Sequence, residues 1–287
     1  MTPIRIEAGC DIGCAQRSSP LDALETRMLL MHALGLTRVQ LITESERRLS
    51  ADEAQRFTAL LQRRVAGEPI AYIVGQREFF GLPFLVTKDV LIPRPETELL
   101  VELALERAPQ GGRILDLGTG SGAIAIALAH ARADLQVSAV DVSRAALEVA
   151  QQNAAHNLAG RGNAIRLLHS DWYRGLQAGE RFELIVANPP YIVAGDTHLS
   201  RGDLRFEPIG ALTDHADGLS ALRTIVNGAA AHLMPGGWLL MEHGYDQAAA
   251  VRELLIAQGY QEVQSWQDLA GIERATGGML PRAGHRG

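Results

Sequence analysis

The segment Asp116-Leu117-Gly118-Thr119-Gly120-Ser121-Gly122 leaves few folds open to this chain. It follows the apolar run Ile114–Leu117, which reads as a strand, and opens the apolar run Ala123–Ala131, which reads as a helix. A glycine turn at that junction frees backbone N–H groups and lets a ligand come close where side chains would otherwise stand. The pattern recurs downstream. Val137–Val140 reads as a strand, a helix runs from Ser143 to about Asn157, and Ala164–Leu168 and Leu184–Ala187 read as further strands. Leu219–Leu233 is helical, Pro235-Gly236-Gly237 turns, and Trp238–Glu242 is a strand. A helix to Gln258 and a strand over Tyr260–Trp266 follow. Such alternation predicts an α/β fold: a mostly parallel, doubly wound sheet with helices on both faces.

With 287 residues, 47% of them hydrophobic, the chain can also fill a second, smaller core. The first ~70 residues read as helical by period. Ser19 can cap a helix with Pro20 at its first position, and Leu21, Leu24, Met28, Met31 and Leu34 form one apolar stripe that Gly35 ends. Ser50-Ala51-Asp52-Glu53 has the form of a capping box, and Phe57, Leu60, Leu61 and Val65 carry that helix towards Gly67 and Pro69. Gly9 and Gly13 weaken any helix before Ser19. From Tyr72 to Ile92 the β-formers Tyr72, Ile73, Val74, Phe79, Phe80, Phe84, Leu85 and Val86, punctuated by Gly75, Gly81 and Pro83, predict a hairpin. Pro93 and Pro95 bracket Arg94, and a helix runs from about Pro95 to Arg107. The expected division is a helical domain over 1–72, a β-hairpin linker over 73–94 and the doubly wound domain over 95–287.

Composition removes several functions. A net charge of −6 argues against a grip on nucleic acid through phosphate neutralisation. The 26 arginines against one lysine, Lys88, read as coding bias, and the pairs Arg47-Arg48 and Arg63-Arg64 as solvated helix faces. Cys10 and Cys14 have no partners for a metal site or disulfide framework and read as free thiols of a reducing compartment. The nine histidines show no ligand spacing, so no metal is expected, and no G-x-S-x-G elbow occurs. The N-terminal MTPIRIEAGCDIG lacks the apolar core of a secretory signal, and no apolar run approaches the ~20 residues that cross a bilayer. A cytoplasmic chain is expected.

The glycine loop by itself is ambiguous, because Gly118, Gly120 and Ala123 also fit the dinucleotide fingerprint. Asp141, at the end of the second strand, can accept both ribose hydroxyls of an adenosine ligand, or cap the helix that follows. Asp171 and Trp172, after the third strand, suit an adenine, the carboxylate taking its amine and the indole packing on its ring; simple core packing would equally explain the tryptophan. Asn188-Pro189-Pro190-Tyr191 narrows the choice. Two prolines cannot continue a central strand, so the chain turns out at the sheet edge, and Asn188 should face the glycine loop. Hydride transfer has no use for this tetrapeptide. A planar NH2 group does: the Asn188 side-chain oxygen and the Pro189 carbonyl can each accept one hydrogen while Tyr191 packs on the planar face. Arg205-Phe206-Glu207-Pro208 can buttress that loop or be an ordinary surface turn.

GQREFFGLPFLVTKDVLIPRPETELLVE (Gly75–Glu102), ILDLGTGSGAIAIALA (Ile114–Ala129), SDWY (Ser170–Tyr173), NPPYI (Asn188–Ile192) and GDLRFEPIGAL (Gly202–Leu212) together resemble the release-factor glutamine methyltransferases, the PrmC/HemK family, in order and spacing from Pro20 to about Gly278. That resemblance implies a helical N-terminal domain joined through a β-hairpin to a seven-stranded Rossmann-like class I methyltransferase domain. It implies methylation of the glutamine side-chain amide in the Gly-Gly-Gln tip of class-1 peptide chain release factors. Gly118, Thr119, Gly120, Ser121, Gly122, Asp141, Asp171, Trp172 and Asn188 would hold S-adenosyl-L-methionine, leaving S-adenosyl-L-homocysteine as product. Asn188, Pro189, Pro190 and Tyr191 would hold the glutamine, with Asn188, Pro189 and Tyr191 catalytic. The helical domain would dock the release factor, with a monomeric chain touching neither nucleic acid nor membrane. Two segments depart from the pattern: the N-terminal ~18 residues make a poor first helix, and the tail after Gly278 looks unlike an orderly final strand.

Three alternatives stay open at this stage. An adenine-N6 methyltransferase shares the planar NH2 acceptor but would need a basic recognition region. A binding module that kept the fold without activity is the second. A nicotinamide dehydrogenase is the third, disfavoured by the tetrapeptide.

Overall fold

The computed structural model describes residues 4–200 and 202–282. The chain divides between Gln76 and Arg77 into two compact units.

The first unit is helical. Its helices are α1 (Ile12–Arg17), α2 (Ala23–Leu34), α3 (Arg38–Thr43), α4 (Ala51–Val65) and α5 (Ile70–Val74). A core of Ile12, Leu29, Leu30, Leu41, Phe57 and Leu61 has almost no exposed surface. The expected capping box is present: Ser50 Oγ accepts the Glu53 N–H while the Glu53 carboxylate accepts the Ser50 N–H. At α2 the expectation needs correction. Asp22, not Ser19, is the cap, its carboxylate accepting the N–H groups of Leu24 and Glu25. A carboxylate that takes two N–H groups and meets the positive helix end outcompetes a hydroxyl, and Ser19 instead accepts from Leu21 N–H and the Thr26 hydroxyl. The buried face is Thr26, Leu29, Leu30 and Ala33, and two members of the expected stripe, Leu24 and Met28, are exposed. Two apolar rows run side by side on this helix, and packing against α4 and α5 selects the row.

Phe57 is fully buried in this small core. Phe57→Ala is expected to cost about 3–5 kcal/mol, the usual price of an aromatic-sized cavity. Denaturant unfolding of the full chain, followed by far-UV circular dichroism, should show loss of helical signal begin at lower denaturant than in the parent.

Tyr72, Ile73 and Val74 belong to α5 rather than to the hairpin, a second correction: Pro69 starts the turn and Gly75, at φ +77°, ends it. The hairpin itself is β1 (Gln76–Phe79) and β2 (Leu82–Leu85), joined by Phe80 and Gly81, both at positive φ. That two-residue turn matches the twist of its strands. Phe79 and Phe84 pack edge to face, 6.0 Å between ring centroids.

The remainder is α6 (Glu98–Arg107), β3 (Arg113–Leu117), α7 (Ala123–Ala131), β4 (Gln136–Asp141), α8 (Arg144–Asn157), β5 (Arg166–His169), β6 (Phe182–Ala187), α9 (Ile209–Leu212), α10 (Ser220–His232), β7 (Leu233–Glu242), α11 (Ala248–Ala257), β8 (Gln261–Gln267) and β9 (Glu273–Met279). Seven strands form one sheet in the order β5-β4-β3-β6-β7-β9-β8, with β9 antiparallel to both its neighbours. This is the expected α/β architecture. β9 is the element not read from the residues; Gly277 and Gly278 obscured it, and the close pairing explains them. A Cβ on Gly277 would stand 2.5 Å from Leu240 Cδ2. The tail beyond Gly278 is ordered at its start, where Leu280 N–H bonds the Gly237 carbonyl and the Leu280 carbonyl accepts from Gly236 N–H; residues 283–287 lie outside the described residues. Ahead of α2, Gly9 turns the chain at φ +81° and Gly13 is tolerated inside the short α1. Among the described residues no helix is long and apolar enough to cross a membrane.

Candidate active site

The sheet register assembles the site. Leu117, the last residue of β3, lies opposite Val140 of β4 and Ala187 of β6. The next residue on each chain is Gly118, Asp141 and Asn188, so three parallel strands deliver them side by side at one sheet edge. Asp141 is paired with His169, which brings Ser170, Asp171 and Trp172 to the same edge, and Ala187 is paired with Met241, which brings Glu242 up beside Asn188.

A cavity of about 280 Å³ opens there, lined by Gly118, Gly120, Asp141, Asp171, Trp172, Asn188 and Pro190 among the expected residues. Its wall also includes Asp89, Val90 and Leu91, Val142, Ser143, Ala146 and Ser170, and Pro208, Gly210 and Ala211. These the sequence reading did not place. Asp89–Leu91 and Pro208–Ala211 lay inside the quoted family segments, but nothing in their residue types marks them as ligand-facing. The other loop residues stand behind the wall. Thr119 and Ser121 are buried; Thr119 Oγ1 donates to Asp116 Oδ2 at 2.6 Å. Gly122 opens α7 at φ +83°, where a Cβ would stand 2.8 Å from Ile126 Cδ1 and 3.2 Å from Ala150 Cβ. Asn153 of α8 fixes the loop from behind, donating from Nδ2 to the carbonyls of Ser121 and Leu85, while its Oδ1 accepts the Leu85 N–H. The hairpin is thereby tied to the glycine loop.

The Asp141 carboxylate braces the glycine loop and the start of α8. Oδ2 accepts the Gly120 N–H and Oδ1 the Ser143 N–H, each at 2.8 Å, which leaves each oxygen a further lone pair for a ligand hydroxyl. The helix cap proper is Ser143. Burial raises the Asp141 pKa, against the pull of these backbone bonds. Burial pushes the Asp116 carboxyl up to about 7, opposed by the Thr119 hydroxyl and reinforced by the charge of Asp141; its Oδ1 has no hydrogen-bond partner. Trp172, at φ +49°, is half-buried against the sheet, and a Cβ on Gly118 would come within 3.7 Å of its ring. The buried Asp116 beneath the glycine loop, an indole across from it and the Asp141 carboxylate with lone pairs to spare suit a cationic adenosine ligand.

Asn188 also lines a second cavity of about 70 Å³, with Pro189, Tyr191, Leu91 and Arg94. The tetrapeptide is held from several directions. Among the described residues Asn188 has one side-chain hydrogen bond, from Nδ2 to Thr97 Oγ1 at 3.1 Å, so its Oδ1 carries no protein donor. The Tyr191 hydroxyl donates to Glu242 Oε1 at 3.1 Å, and the Tyr191 carbonyl accepts Gln247 Nε2–H at 3.0 Å. Gly218 has to be glycine here: at φ +77° its Cβ would lie 2.6 Å from the Tyr191 carbonyl oxygen. Glu207 resolves the question of the RFEP turn. Its fully buried carboxylate accepts the Ile92 N–H at 3.0 Å and pairs with Arg94, so the turn braces the segment that lines both cavities. Burial raises the Glu207 pKa, and the Arg94 charge counters it.

The sequence matches the family model described as the PrmC N-terminal domain over residues 14–75 and that described as the methyltransferase small domain over residues 95–203. It is 59% identical to the release factor glutamine methyltransferase of Burkholderia pseudomallei strain K96243 over 92% of this chain and 94% of that one. Against the enzyme of the same name from Neisseria gonorrhoeae strain ATCC 700825 / FA 1090 it is 51% identical over 90% of this chain and 93% of that one. A solved methyltransferase from Pyrococcus furiosus shares the fold, at 18% identity and a TM-score of 0.53, over 77% of this chain and 97% of that chain. Sheet order, glycine loop, tetrapeptide and near full-length identity agree: the chain belongs to the release factor glutamine methyltransferase family of S-adenosylmethionine-dependent enzymes.

Proposed function

We propose that this chain methylates the side-chain amide nitrogen of the glutamine in the Gly-Gly-Gln motif of class-1 release factors, in the cytoplasm, as a monomer and without direct contact to nucleic acid. The observation that carries the reading is Asn188, standing on the border of two cavities with Oδ1 lacking a protein donor. The larger cavity takes S-adenosylmethionine and the smaller the glutamine side chain. When bound, the cofactor supplies an electrophilic methyl group on a positively charged sulfur.

Gly118, Gly120, Asp141, Asp171 and Trp172 hold that ligand, while Thr119, Ser121 and Gly122 shape the loop beneath it. Asn188 Oδ1 and the Pro189 carbonyl each accept one hydrogen of the substrate amide. Pro190 stiffens the turn and Tyr191 packs against the planar face. An amide nitrogen is a poor nucleophile, because its lone pair is delocalised into the carbonyl. Acceleration therefore comes from holding the nitrogen in line and from drawing on its hydrogens, which raises its electron density. The proton leaves to water after transfer. The N-terminal helical unit docks the body of the release factor.

Incubation with labelled S-adenosylmethionine and either a class-1 release factor or duplex DNA tests the reading. Label should appear on the release factor and vanish when its Gly-Gly-Gln glutamine is replaced. Label on the DNA would overturn it in favour of an adenine acceptor.

A further inference from the structure

At φ +49° Trp172 sits in the left-handed region, where a side chain crowds its own backbone and glycine would rest without strain. Strain of this kind persists only where the surroundings over-determine it, and it gathers at binding sites. Trp172 has that setting. Its side chain lines the larger cavity and reaches the glycine loop, where a Cβ on Gly118 would meet the indole Cζ3 at 3.7 Å. A glycine at position 172 would relax the backbone and leave that wall without its ring.

The turn is clamped on both sides. Ser170, 4% exposed, comes first, and its N–H bonds the Asp141 carbonyl at 3.0 Å, so the turn starts beside the end of β4. The Ser170 hydroxyl donates its one proton to the Trp172 carbonyl at 2.6 Å and accepts the Gly175 N–H at 2.7 Å. Closure this tight needs glycine at 175, where a Cβ would stand 2.9 Å from both Ser170 Oγ and the His169 carbonyl oxygen. On the far side, Tyr173 is anchored against α10. Its hydroxyl donates to the Ile225 carbonyl at 2.8 Å, its ring stacks on His232 at 5.0 Å, and Gly228 leaves it room, since a Cβ there would lie 2.4 Å from the ring. Tyr173 fixes where the chain goes next, and Ser170 closes the turn around the tryptophan.

We propose that Ser170 is a positioning residue for the cofactor: its hydroxyl locks the left-handed turn that keeps the Trp172 indole in the cavity wall, and so sets the affinity for the adenosine ligand. The inference rests on the reading of the larger cavity given above.

The test uses the full chain, with S-adenosylhomocysteine as the calorimetric probe and labelled S-adenosylmethionine plus a class-1 release factor for turnover. Ser170→Ala is expected to raise the S-adenosylhomocysteine Kd by about 5–20-fold while kcat at saturating cofactor stays within about 3-fold, the pattern of binding lost equally from ground and transition states. Trp172→Ala should raise Kd by about 10–100-fold, the usual size of a lost aromatic face against a base. Ser170→Ala/Trp172→Ala should bind within about 3-fold of Trp172→Ala, because the serine acts through the indole; a separate structural role would make the two losses multiply. Tryptophan emission gives a second readout. Trp238 and Trp266 are packed on Arg107, whose guanidinium carbon lies 4.9 and 4.6 Å from their ring centroids, so the change on adding S-adenosylhomocysteine should come from Trp172. It should vanish in Trp172→Phe and shrink at least about 2-fold in Ser170→Ala. Should Ser170→Ala fail to fold, Ser170→Cys with its melting curve decides, since a sulfur cannot sit at 2.6 and 2.7 Å from the same two partners; its Kd should rise by about 3–10-fold. The inference is overturned if the folded variant keeps Kd within about 2-fold of the parent, or if the losses multiply in the double variant. Weak binding in Asp141→Ala and Trp172→Ala beside parent-like binding in Ser170→Ala removes this inference alone; parent-like binding in all three removes the reading of the cavity beneath it.

Discussion

Asn188→Ala is expected to lower turnover at saturating substrates by at least about 10³-fold, comparable to or beyond the loss of a single oxyanion-type hydrogen bond. The cofactor Kd should move by less than about 3-fold, since Gly118, Asp141 and Trp172 still line the larger cavity. The size of the effect follows from the chemistry of the acceptor. A glutamine amide gains nothing from desolvation alone, because its lone pair stays in conjugation until the nitrogen is turned and its hydrogens are drawn on. Asn188 Oδ1 is the side-chain group left free to do so, its Nδ2 being spent on Thr97. Single-turnover kinetics with labelled cofactor, beside calorimetric titration of the cofactor, separate the two quantities. Turnover within 10-fold of the parent would end the assignment of Asn188.

The second large effect belongs to binding. Asp141→Ala is expected to weaken the cofactor by about 10²–10³-fold, given ~1.5–3 kcal/mol for each hydrogen bond from a ligand hydroxyl to an ionised group. Part of the loss is indirect: the substitution also frees the N–H groups of Gly120 and Ser143, and with them the shape of the loop. Asp141→Asn keeps an acceptor for one of those N–H groups and should recover part of the loop but not the ribose contacts, so its Kd should fall between parent and alanine variant. Equal affinities in all three proteins would show that the carboxylate contributes to cofactor binding neither directly nor through the loop.

The parts of this molecule legible in the sequence are those where local chemistry and tertiary demand coincide. Strands β3, β4 and β6 read correctly because both faces are covered and the runs are mostly apolar, with Asp116, Ser138 and Glu183 among the exceptions. The glycine loop and tetrapeptide read because glycine and proline restrict the backbone before any packing occurs. The start and face of α2 misled because two cap candidates and two apolar rows compete, and neighbouring helices choose between them. Tyr72–Val74 carry β-forming side chains, yet Pro69 and Gly75 confine them to one helical turn. β9 escaped because its glycines look like punctuation until Leu240 is seen packed against them. Within the site, Thr97 and Glu242 left no local signal, and Glu207 showed only within the ambiguous Arg205–Pro208 turn. Each contributes through a partner more than fifty positions away in the chain, a relation that periodicity cannot carry.

The shared level at which β3, β4 and β6 end governs how such a chain can change length. One residue inserted within Phe182–Ala187 would advance Asn188 by about 3.3 Å and turn its side chain to the opposite face of the sheet. The same insertion in the turn over 158–164 or the loop over 194–200 would be absorbed without moving any strand end. Length changes compatible with activity are therefore expected in the connections, and a gap within the three strands would mark a chain whose methyl acceptor can no longer be held.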